Sequence, residues 1–124
     1  MEPGLRRMAS PKTEIKILFI CNLNMVRSFT AEHIYNDYPG LKVKSAGIST
    51  AAVVRIDRSL MDWADIVFVM EKSQKECLEK KFKSTGPQKK IIVLEIPDHF
   101  TYMDPRLVSL LRSRIDPYLS TLVN

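Results

Sequence analysis

In "ILFICNLNMVRS", residues 17–28, a cysteine closes an unbroken apolar run and an arginine follows six positions later. A thiol and a guanidinium at that spacing suit nucleophilic attack on a phosphoryl group. Cys21 would attack as the thiolate, and the planar fork of Arg27 would hold two oxygens of the transferred group without losing its charge. Ser28 is placed to donate a hydrogen bond to the sulfur. The C-x5-R pair alone is weak evidence, because cysteine is often a small core residue and 19 side chains of this chain are Lys or Arg.

The flanking elements give the pair its meaning. Ile15 to Ile20 reads as a strand buried on both faces, and Ser28 to Tyr38 places Ala31, Ile34, Tyr35 and Tyr38 at helical spacing. Cys21 therefore opens a strand-to-helix loop. Such a loop aims successive backbone N–H groups and the positive end of a helix dipole at one point, which binds an oxyanion and favours thiolate over thiol. Asn22, Leu23, Asn24, Met25, Val26, Arg27 and Ser28 form the expected cradle for phosphate or another oxyanion.

Further strands are expected over 41–47, 64–70 and 89–96, and helices over 28–38, 56–63, 72–83 and 105–122. The last helix carries Leu107, Leu110, Leu111, Ile115, Tyr118, Leu119 and Leu122 along one face. Alternating strands and helices imply an α/β fold, a three-layer α/β/α arrangement around a four-stranded parallel sheet. Ligands of such sheets gather at the carboxyl ends of the strands, which is where Cys21 falls.

The 124 residues suffice for one domain with a real core, expected over 15–124 behind a flexible leader at 1–14. No apolar stretch approaches the roughly 20 residues of a membrane span, so a soluble, cytoplasmic protein without a membrane partner is expected. Cys21 and Cys77 lack C-x-x-C spacing and read as reduced thiols. The net charge of +5 favours anionic partners, but the Lys-rich tract "KKFKSTGPQKK" (80–90) reads as solvated surface around a loop. Without an arginine-rich arm, zinc-finger spacing or an aromatic RNA-binding motif, nucleic acid is not an expected partner.

Several motifs occur in one order: "ILFICNLNMVRSFTAE", then "SAG" at 45–47, "ADIVFVMEKSQ" at 64–74 and "VLEIPDHF" at 93–100. In these the sequence resembles the low-molecular-weight protein tyrosine phosphatase family across most of its length. The resemblance implies Cys21 as nucleophile, Arg27 as transition-state clamp and Ser28 as the group that stabilises the departing thiolate. Asn24 matches the family's loop asparagine, a residue type that tolerates left-handed backbone and whose side chain can tie the loop to Ser45. There are departures. Leu23 stands for the family's loop glycine, Phe29 for the proline that often follows R-S, and Val26 for a cysteine, so no vicinal disulfide can guard Cys21. Only 23 residues separate Gly47 from Glu71. The segment that carries an aromatic wall of the family's pocket is thus shortened or absent, and Trp63 reads as a core or hinge residue rather than its replacement.

Expelling an alkoxide or phenolate calls for an acid, and activating water calls for a base. Asp98 in "IPDHF" follows the fourth strand, at the edge shared with Cys21, and aligns with the family's acid loop if His99 replaces a proline. Asp104 in "YMDPR" is the alternative acid, although an Asp before Pro is also a standard helix start. Asp116 in "DPY" matches the family's letters but falls inside the last helix. Phe100 and Tyr102 are candidates to flank an aryl phosphate. The expected activity is phosphomonoester hydrolysis through a phosphocysteine, most of all on a phosphotyrosine protein or a small aryl phosphate, without metal or cofactor. The alternatives are arsenate reduction, for which only Cys77 offers a second thiol, and a phosphocysteine carrier domain of a sugar transport system, which would not need Arg27.

Overall fold

The computed structural model describes residues 14–83 and 89–122. The expected leader, apart from Glu14, lies outside these residues, as do positions 84–88 of the Lys-rich tract and the side chain of Leu122. Four strands and four helices alternate: β1 (Ile15–Cys21), α1 (Arg27–Tyr35), β2 (Leu41–Gly47), α2 (Arg58–Trp63), β3 (Ile66–Val69), α3 (Lys72–Lys81), β4 (Lys90–Val93) and α4 (Pro105–Leu122). The strands form one parallel sheet in the order β2-β1-β3-β4. Order therefore reverses beside β1. Its carboxyl end opens at the switch point, where a parallel sheet leaves room for a ligand.

Strand alternation divides the core into two layers. Ile17, Phe19 and Cys21 of β1 share one with Ile66, Phe68, α1 and α4, while Leu18 and Ile20 share the other with Val67, Val69, Met61 of α2 and Leu78 of α3. Both faces of the sheet are covered, which explains why β3 and β1 from Ile17 onward are continuous apolar runs rather than alternating ones. Along α4, Leu107, Leu111, Ile115 and Leu119 are fully buried at helical spacing, whereas Tyr118 at the margin of that stripe is exposed. Trp63 ends α2, packed against the second layer with the Lys44 ammonium 4.5 Å from its ring centre.

The boundaries depart from the sequence expectation where local geometry overrides periodicity. Helix α1 stops at Tyr35, and Tyr38 returns to the core from a turn in which its N–H donates to Tyr35 O at 3.1 Å. Helix α2 starts at Arg58 because Asp57 caps it, accepting from Leu60 N–H at 2.9 Å. Strand β4 ends at Val93, yet Leu94 and Ile96 still donate to Val69 O and Met70 O, both at 2.9 Å. Glu95 between them takes φ 59°, which turns the chain out of regular pairing. No described helix is long and apolar enough to cross a membrane.

Candidate active site

Cys21 ends β1 with its side chain 3% exposed, and the chain bends over residues 22–26 into α1. Three amides of the segment after β2 grip three successive carbonyls of that bend. Ile48 N–H donates to Cys21 O at 3.0 Å, Ser49 N–H to Asn22 O at 2.9 Å and Val53 N–H to Leu23 O at 3.1 Å. Because C=O and N–H point opposite ways in a trans peptide plane, the amides of Asn22, Leu23 and Asn24 turn to the other side. That of Asn24 lies 3.3 Å from Cys21 Sγ. Gly47 permits this close packing, since a Cβ there would come within 2.6 Å of both Asn22 O and Ala52 Cβ. The stretch after β2 thus buttresses the loop.

The N-terminus of α1 completes the cradle. Its N-cap is Val26, which offers no side-chain acceptor, so the first amides of the helix stay open and the dipole points at the same place. Asn24 takes φ 58°, a left-handed conformation that Asn accepts more readily than most residues. Its Nδ2 donates to Ser28 Oγ at 2.9 Å and to Ser45 Oγ at 2.8 Å. Ser45 in turn donates to the Glu32 carboxylate. The directions of this chain are set by its end, because a carboxylate only accepts. Ser28 Oγ, accepting from Asn24, lies 3.0 Å from Cys21 Sγ and 3.4 Å from Ala46 O, so its hydrogen can go to either, and a thiolate sulfur would meet two donors.

Arg27 is the largest polar side chain in the interior, 2% exposed, and its fork is already oriented. Nη1 donates to Glu71 Oε2 at 2.5 Å and to Ile96 O at 2.9 Å. Nη2 lies 3.6 Å from Asp98 Oδ2, which leaves Nε and Nη2 as the pair that an incoming anion can engage. Sequence reasoning assigned no role to Glu71, Glu32 or Gln74. Glu71 and Gln74 form a reciprocal capping box at the start of α3, and its E-x-x-Q pattern was readable in "EKSQ". What Glu71 touches beyond its own helix was not.

The aspartates separate clearly. Asp98 follows the turn at Glu95 and Ile96, 61% exposed, with its carboxylate toward Arg27. Asp104 faces α4 instead, accepting from Arg106 N–H at 2.8 Å and pairing with the Arg106 guanidinium at 2.9 Å. Hydrogen bonds from the Arg106 side chain and backbone hold the Asp104 carboxyl below the usual range. Asp116 accepts from Tyr35 O–H at 2.5 Å on the α1–α4 face, and burial together with that bond pushes the Tyr35 phenol far above its ordinary range. Of the aromatic residues, Phe100 packs against the core beneath the Arg106 guanidinium. Tyr102 stacks on Phe29 at 5.1 Å and bonds His33 Nδ1 at 2.9 Å. Both are engaged along α1 and α4. The exposed apolar residues on the bend and its buttress are Leu23, Met25, Val53 and Val54. Cys21 and Cys77 are both free thiols, Cys77 halfway along α3.

No protein-family model matches the chain, and no curated protein matches it either. Solved structures do. SP-PTP, a low molecular weight protein tyrosine phosphatase from Streptococcus pyogenes, superposes with a TM-score of 0.74 at 17% identity, covering 89% of this chain and 94% of that one. The tyrosine phosphatase Wzb from Escherichia coli K30, in complex with phosphate, gives 0.69 at 23% identity over 86% and 97%. The YwlE arginine phosphatase from Geobacillus stearothermophilus gives 0.63 at 22% over 86% and 94%. The chain therefore has the fold of these proteins, a three-layer α/β/α arrangement around a four-stranded parallel sheet.

Proposed function

We propose that the protein is a cysteine-dependent phosphomonoesterase that works through a phosphocysteine intermediate and needs no metal. The observation that carries this reading is the sulfur of Cys21 held between Ser28 Oγ at 3.0 Å and the Asn24 amide at 3.3 Å, beside a buried, pre-oriented Arg27. Phosphoryl transfer asks the protein mostly for positioning and charge. The inward amides and Arg27 would bind the three equatorial oxygens. Cys21 Sγ would attack phosphorus in line, forming the S–P bond as the ester P–O bond breaks, with Asp98 giving its proton to the leaving oxygen. In the second step Asp98 takes a proton from water, the water oxygen attacks phosphorus, and the S–P bond breaks to return a thiolate that Ser28 and the Asn24 amide stabilise.

Aryl phosphates, and phosphotyrosine on a protein, are the substrates this reading favours. The exposed Leu23, Met25 and Val53 offer apolar surface to a ring, in place of the aromatic wall that the short segment after β2 does not carry. Arsenate reduction would need a second thiol to relay a disulfide, and Cys77 lies on a helix whose packing is with the opposite core layer. A carrier domain would gain nothing from a buried arginine that speeds hydrolysis. The test is to assay phenyl phosphate, phosphotyrosine, phosphoarginine and arsenate with thioredoxin, each with chelator present. Hydrolysis of the first two is expected, lost in Cys21→Ser with orthovanadate binding retained. Activity that survives in Cys21→Ser would remove the nucleophile and the reading with it.

A further inference from the structure

One buried polar side chain near the site takes no part in the chemistry above. Gln74, in the first turn of α3, is 1% exposed and uses both ends of its amide. Its Oε1 accepts from Met70 N–H at 2.8 Å and Glu71 N–H at 3.1 Å, and its Nε2 donates to Asn22 Oδ1 at 3.1 Å. The two backbone donors fix which way the amide faces, because turning it over would set N–H against N–H. Nε2 can then reach only the loop side, and a buried donor deprived of its acceptor costs more than the bond contributes.

The anion loop is therefore tethered from both flanks. The segment after β2 holds its carbonyls on one side, and on the other the tether is the amide of Gln74 through Asn22. The same amide closes the capping box whose other member, Glu71, fixes Arg27. A single side chain thus sets the loop amides and the guanidinium at a constant separation. We propose that Gln74 is a positioning residue of the anion site, acting through Asn22 on the cradle, and that the start of α3 serves the site as well as the fold. This rests on the reading of the loop as an oxyanion cradle.

The experiment is a double-mutant cycle on orthovanadate affinity, with thermal melting measured alongside. Gln74→Ala and Asn22→Ala should each weaken orthovanadate by about fivefold, the worth of one hydrogen bond. The double variant should be no weaker than either, because both remove one tether. Melting should behave differently: Asn22→Ala leaves the buried Gln74 donor without its acceptor and melts somewhat lower, while Gln74→Ala, which also loses the cap, melts lower still. A purely structural role would lower melting and leave affinity alone. Wild-type affinity in either folded single variant, or losses that multiply in the double, would overturn the proposal. Should Gln74→Ala not fold, Asn22→Ala carries the decision: weakened binding supports the tether and unchanged binding overturns it. Turnover is not required. A wild type that binds orthovanadate without hydrolysing aryl phosphates refutes the phosphatase reading alone, while one that binds no oxyanion overturns both.

Discussion

The loop after β1 and the loop after β4 both reach the carboxyl edge of the sheet, yet they are held in opposite ways. In the first, Asn24, Arg27 and Ser28 are buried and the bends of the backbone are fixed by outside amides and by a hydrogen-bond chain that ends at Glu32. In the second, Asp98 is exposed, and the segment is pinned at its margins. Ile96 bonds Met70 on one side, while on the other Met103 N–H donates to Thr30 Oγ1 at 3.1 Å and Tyr102 stacks on Phe29. Under the proposed mechanism the difference follows from what each would have to do. A cradle for developing negative charge gains from donors that need no rearrangement at the moment of reaction. An acid that serves two steps needs contact with water, and exposure supplies it.

Breaking the rigid loop should therefore cost far more than disturbing the exposed one. The largest effect is expected from Arg27→Lys, which keeps the charge but loses the fork and its grip on Glu71 and Ile96. The rate should fall by about 10³ or more, with melting also reduced, and a fall under about tenfold would make Arg27 a mere charge. Next comes Asp98→Asn, expected to lower kcat/KM for phenyl phosphate by about 10² while kcat/KM for nitrophenyl phosphate changes little, since an acid matters most when the leaving oxygen of the first step is most basic. Steep leaving-group dependence in Asp104→Asn, with none in Asp98→Asn, would move the acid to Asp104.

Gly47→Ala sharpens the comparison from the buttress side. The new methyl meets the Asn22 carbonyl and the Ala52 methyl, so overpacking of about 1–3 kcal/mol is expected together with weaker orthovanadate binding. Calorimetry and a binding titration would show both. The smallest effect is Asp104→Asn. Arg106 keeps the folded-state carboxyl below its unfolded value of 3.8, so its contribution is complete above that value and is lost as the pH falls through the lower one. Wild-type melting should drop more steeply than that of Asp104→Asn as the pH falls below about 4, with aryl phosphate hydrolysis near neutral pH hardly altered.

Much of this arrangement was legible before any coordinates. The nearly continuous apolar runs at 15–20 and 64–70, interrupted only by Lys16 and Asp65, named two central strands because both faces of the sheet are covered, and a cysteine at the end of one of them is a local signal. Left-handed Asn24 and its link to Ser45 followed from residue type and a motif. Glu71 on Arg27, Glu32 on Ser45 and Gln74 on Asn22 could not be read the same way, since each joins residues brought together only by the crossovers of the sheet. Phe100 and Tyr102 are candidates to flank a substrate ring from their place after Asp98, and the contacts they make, Phe100 with the core and the exposed Tyr102 with the Phe29 ring, again join residues far apart in sequence.

The most direct measurement is to trap the covalent intermediate. Asp98→Asn should slow the second step by depriving water of its base, so rapid quench in denaturant at mildly alkaline pH, during turnover of nitrophenyl phosphate, should leave one phosphoryl group on the protein. Mass spectrometry of peptides from the quenched sample is expected to place that group on Cys21, and Cys21→Ser should carry none. Hydrolysis that proceeds with no phosphoryl group on Cys21, or with the group on His33 or His99, would contradict the account.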